Sequence, residues 1–175
     1  MFRKFLINLF ILIYCSTIAQ AQISDQNDPD LDPDNYDVDN MYFHVGVYFG
    51  LSQAVAIDLK HIAISGVMEH DIAKIYEPVF KTAIERRGLK QYLEVDFLVT
   101  DLFPEAYTEN KSTFIVYKQD SILEQYLALK ERKQELIDNN NYDQAARREV
   151  ATGFGKLLSY TDETIEENLK KNGFQ

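Results

Sequence analysis

Tyr142, Ala146, Val150, Phe154 and Leu158 recur at steps of four residues. Sustained over so long a run, that period marks the apolar stripe of an amphipathic helix, because strands seldom reach such lengths. Gly153 and Gly155 fall inside the stripe and weaken it without breaking the pattern. Upstream, Asn139, Asn140 and Asn141 interrupt a second helical pattern carried by Ile122, Tyr126, Leu129 and Leu136. That pattern opens at Ser121-Ile122-Leu123-Glu124, which has the form of a capping box. Two helices joined by so short a connection form an antiparallel αα-hairpin. A last helix is expected from Thr161 as N-cap, with Asp162 and Glu163 in its first turn, Lys170 and Lys171 in its last, and Gly173 as the stop.

The middle of the chain alternates between periods. Met68, Ile72, Ile75, Tyr76, Val79, Phe80 and Ala83 follow a helical stripe that ends at Arg86-Arg87-Gly88, and Pro78 is expected to kink or divide it. Ser52 to Ile64 reads as a shorter, more apolar helix. Tyr92 to Thr100 and Thr113 to Lys118 are rich in Val, Phe, Tyr, Ile and Thr and read as strands. Tyr42 to Phe49 reads as a third strand, with the front of the first helix as the alternative. At 46% apolar residues the chain has enough for one core. The expectation is an α+β, mainly helical single domain of about five helices, residues 41–175, over a small two- or three-stranded sheet.

The first residues carry a different message. Arg3 and Lys4 precede the apolar run Phe5 to Tyr14, and Ala19-Gln20-Ala21 supplies the small residues a signal peptidase accepts. The apolar run is too short to anchor in a bilayer, so residues 1–21 read as a secretory signal cleaved after Ala21, with no stable membrane insertion afterwards. Cys15, the single Cys, leaves with it, which excludes a disulfide scaffold in the mature chain. Residues 22–40 hold seven Asp among nineteen residues and read as an acidic disordered leader. The formal charge of −10 argues against nucleic acid as a partner.

Few residues offer chemistry. Gly50-Leu51-Ser52-Gln53-Ala54 resembles a hydrolase nucleophile elbow, but no His follows His70 to serve as its base, so Ser52 reads as a helix N-cap. Asp58 and His61 are three residues apart and share a helical face. If the next helix folds back, His70 joins them in a nitrogen and oxygen site for zinc or another divalent ion. Asp28, Asp30, Asp32 and Asp34 alternate like the oxygen ligands of a calcium loop, although Pro33 stands where such a loop needs Gly, so only weak calcium binding is expected. Asn110-Lys111-Ser112 matches an N-glycosylation acceptor. Asp101 to Ser112, with Phe103-Pro104 and Tyr107, has the length of a binding loop.

These features lead to an exported protein, periplasmic or secreted, that binds a basic protein partner through an acidic surface or an aromatic-lined groove. It has no recognisable catalytic machinery, and no resident cofactor is expected. The alternative is a metal-binding protein or metal-dependent hydrolase using Asp58, His61 and His70.

Overall fold

The computed structural model describes residues 38–174, in which six helices accompany a three-stranded antiparallel sheet. The chain divides into Met1–Asp39 and a unit Asn40–Gln175. The expected signal, its cleavage point after Ala21 and the aspartates Asp28, Asp30, Asp32 and Asp34 lie outside the described residues. The mainly helical α+β class read from the sequence is the class observed.

Helix α1 spans Val38–Ala56 and therefore includes Tyr42 to Phe49, which is helix rather than strand. It also takes in the last residues of the acidic stretch. Val, Tyr and Phe favour strands on average, but that preference yields to packing. Met41, Val45, Tyr48, Ser52 and Val55 are spaced by four and three, so a helix turns all of them inward; Tyr48, Ser52 and Val55 are fully buried. Tyr48 stacks on Phe80 and donates its hydroxyl to Gln91 Oε1 at 2.8 Å. The helix expected to continue to Ile64 stops at Ala56. Asp58 takes a left-handed φ of 60°, and Leu59 N–H and Asp58 N–H bond back to the carbonyls of Ala54 and Val55. Such a C-terminal lock usually uses glycine, so an aspartate there hides it from a sequence reading.

Strand β1, Ile62–Ile64, follows, then α2, His70–Glu85. Pro78 does not divide α2, which runs on through it. Strand β2 covers Lys90–Glu94 and stops well short of Thr100. At its end the buried Glu94 carboxylate accepts from Asp96 N–H and from Lys130, both at 3.0 Å, which turns the chain out of the sheet. Loop residues 95–104 lead to the single turn α3, Glu105–Thr108, and then to β3, Thr113–Tyr117.

β3 is the middle strand, antiparallel to both neighbours, with Ile62 and Lys90 each opposite Tyr117. All five of its residues are buried. Strand alternation splits them between two cores. Phe114 and Val116 join Tyr48, Val55, Phe80 and Ile84 under α1 and α2. Ile115 and Tyr117 join Tyr126, Val150, Phe154 and Ile165 on the other face. Helices thus cover both faces of the sheet, which is why β3 reads as an unbroken apolar run.

The second layer is the αα-hairpin of α4, Asp120–Asp138, and α5, Gln144–Leu157, followed by α6, Asp162–Lys171. Tyr126 and Phe154 meet across the hairpin at 5.9 Å. The capping box at Ser121 does not form. Gln119 is the N-cap and makes no side-chain cap bond; the extended backbone leaving β3 enters the helix at Asp120, two residues before a box with Ser121 as N-cap would start it. Asp143 caps α5 by accepting from Ala146 N–H, so the connection is two residues longer than the Asn run. Thr161 caps α6 as expected, accepting from Thr164 N–H, and Gly173 takes a φ of 82° at its end.

Candidate functional site

The residues singled out from sequence scatter. Ser52 lies within α1, not at its start, and is fully buried. Its hydroxyl donates to Phe49 O at 2.7 Å and accepts from Arg87 Nη1 at 2.8 Å, so it acts as a clamp between α1 and the end of α2. Asp58 and His61 both line a shallow pocket of about 380 Å³ with Lys60 and Lys118. Lys118 Nζ holds both carboxylate oxygens of Asp58, at 2.8 and 2.9 Å. His61 donates its backbone N–H to Ser159 Oγ at 2.9 Å. His70 opens α2 instead, with Nδ1 3.2 Å from Ser112 Oγ. The fold brings Asp58 and His61 to one pocket, gives Asp58 to a lysine and places His70 in a separate contact with Ser112. Among the described residues, no three His, Cys, Asp or Glu side chains are placed to hold an ion. In the glycosylation pattern Asn110 is exposed, whereas Ser112 is fully buried.

The loop beginning at Asp101 has a different outcome. Val99, Thr100, Asp101, Phe103, Pro104 and Glu105 form one wall of a cleft of about 530 Å³. Lys133 from α4, Tyr142 and Arg147 from the hairpin, and Asn172 beyond α6 form the rest. Each wall is pinned from behind. Arg147 Nε donates to Asp101 Oδ2 at 3.0 Å, and its Nη2 donates to Asp101 Oδ1. Asn172 Nδ2 donates to Asp101 O at 3.2 Å and Leu102 O at 2.9 Å. Phe103 packs edge-on against Phe154 at 6.0 Å, which ties the loop to the hairpin core.

The cleft's cations are engaged internally. Lys133 Nζ donates to Val99 O at 2.8 Å and sits 5.6 Å from the centre of the Tyr142 ring. Burial pushes its pKa down, opposed by the carboxylates of Asp96, Glu105 and Asp101. The hydrogen bond to Asp101 pushes Arg147 up, and burial pushes the Tyr142 phenol up. Glu105 stands exposed at the rim, in the first turn of α3. Among the described residues it makes no ion pair. The arrangement is a preformed, aromatic-walled recess with a carboxylate at its mouth, suited to binding a cation that carries an apolar stem.

Sequence reasoning reached one wall of this cleft through the length of the loop. It missed Lys133, Arg147 and Asn172, which come from three later segments and share no spacing signal.

The chain is thus a mainly helical α+β domain with helices on both faces of its sheet and a polar cleft where a loop meets the hairpin. In comparisons with known proteins, no family model, curated protein or solved structure matches it.

Proposed function

We propose that this is an exported, acidic binding protein that docks a basic protein partner, and that the cleft receives a lysine or arginine side chain of that partner. The observation that carries the reading is the cleft's polarity of supply. Its own Lys133 and Arg147 are already engaged by Val99, Tyr142 and Asp101, while Glu105 at the rim faces solvent. An incoming cation lays its methylene stem along Phe103 and Tyr142 and brings its charge to Glu105. The chain's charge of −10 steers such a partner from a distance and weakens with salt. Export rests on residues 1–21, whose pattern is that of a secretory signal.

Calorimetric titration with a short Lys- and Arg-rich peptide tests the reading. Glu105→Lys should weaken binding about tenfold at low ionic strength, the loss expected for one well-placed charge contact. Equal binding by both proteins, or a preference for an acidic peptide, contradicts it.

A further inference from the structure

From Met41 to Ile57 the chain has no Asp, Glu, Lys or Arg, although 26% of its residues are charged. A helix with one buried face normally carries its charges on the other. On α1 the other face holds Tyr42 at 60% exposure, Phe43 at 66%, Val47 at 38% and Phe49 at 42%. At 3.6 residues per turn, Gly46 and Gly50 lie one above the other along the middle of that face, with Tyr42 and Phe49 on one flank and Phe43 and Val47 on the other. Among the described residues, nothing lies within 4 Å of where a Cβ would stand on either glycine. Bare backbone therefore forms the floor of a groove with aromatic rims.

We propose that this face is the interface of a homodimer in which α1 of one copy crosses α1 of a second. Charge selects that occupant. Two copies of a chain carrying −10 repel one another over most of their surface, and a face that holds no acidic side chain, with the Arg87 guanidinium stacked on Phe49 at its edge, lets them meet with least repulsion. The same charge opposes an anionic bilayer. Shape agrees, because a glycine floor between ridges is its own complement under a two-fold rotation, and small residues at the crossing let the backbones approach closely. Area agrees as well. With an aromatic side chain presenting roughly 150–250 Å², the exposed parts of Tyr42, Phe43, Phe49, Val47 and Ile57 supply on the order of 500 Å² per copy, or about 1,000 Å² in all, the least that a specific interface should bury. The interface is independent of the cleft, which lies on the loop and hairpin.

Sedimentation equilibrium of the full chain across the micromolar range should show a reversible dimer. Phe43→Lys with Val47→Lys should weaken pairing tenfold or more and leave the helical circular dichroism unchanged, because both side chains point to solvent. In a Cys15→Ser background, Gly46→Cys should oxidise to a cross-linked dimer, since its two copies meet at the crossing, and Gln134→Cys on α4 should not. The proposal is overturned by a monomer at every concentration, by a dimer that the two lysines leave intact, or by phosphatidylcholine vesicles taking up the protein in place of pairing. Pairing that survives the lysines but is lost on deleting residues 1–21 assigns the contact to that segment and overturns it equally.

Discussion

Gly155 lies so close to Ile165 that a Cβ on the glycine would stand 2.6 Å from Ile165 Cγ1 and 2.8 Å from its Cδ1. The missing side chain is what lets α5 and α6 approach. Ile165 is 1% exposed and has no room to retreat. Gly155→Ala should therefore destabilise by about 1–3 kcal/mol through overpacking, despite alanine's better helix propensity. Gly153 is the control. Its added Cβ would meet only the tip of Leu129, at 3.1 Å, a half-buried side chain that can shift. Gly153→Ala should be neutral or stabilising by up to ~1 kcal/mol in the same urea melts. Equal losses at both positions would contradict this account of the glycines.

The hairpin carries the second prediction. Phe154 is fully buried and touches Phe97, Phe103 and Tyr126. Phe154→Ala should cost ~3–5 kcal/mol. Glu124→Ala should be close to silent, because the capping box it would have completed is not made. A substantial loss from Glu124→Ala would restore the capping box.

Alkaline pH gives the third. Burial pushes the Tyr48 and Tyr126 phenols far above their ordinary range, and the Glu94 carboxylate adds to the shift at Tyr126. Both stay protonated in the folded chain, while the unfolded chain releases their protons near pH 10. The folded state then binds more protons than the unfolded one, so stability is full below about pH 10 and falls as pH rises beyond it. Each buried phenol contributes about 1.4 kcal/mol of loss per pH unit. The tyrosinate absorbance of Tyr48 and Tyr126, read as the part lost in their Phe variants, should appear only together with loss of helical circular dichroism, and Tyr48→Phe should make the fall less steep. Ionisation of both tyrosines without unfolding would contradict their burial.

Export gives the fourth. Intact-mass measurement on secreted material should find a product beginning at Gln22 and lacking Cys. A mass that includes residues 1–21, or a lipid on Cys15, would remove export by a cleaved signal from the proposal.

Legibility in the sequence followed the number of constraints acting at one place. The four-residue stripe of α5, the Thr161 cap and the Gly173 stop are local and were readable. The stretch Tyr42 to Phe49 reads as strand or helix from sequence because both faces of α1 are apolar, so neither period stands out, and only packing against Phe80 and Phe114 selects the helix. The end of α1 was hidden by an aspartate doing a glycine's work at Asp58. Asp58, His61 and His70 were grouped by assuming that one helix turns back on another. β1 stands between them instead, and Lys118 from the far side of the sequence takes Asp58. The cleft needed four separate segments, of which sequence marked the loop alone.

The most direct test of the proposed function is a chemical-shift titration of the labelled protein with the same Lys- and Arg-rich peptide. The account predicts saturable shifts concentrated at Val99 to Glu105, Lys133, Tyr142, Arg147 and Asn172, weakening as salt is raised. Shifts spread evenly over the acidic surface, or centred on any other face, would contradict it.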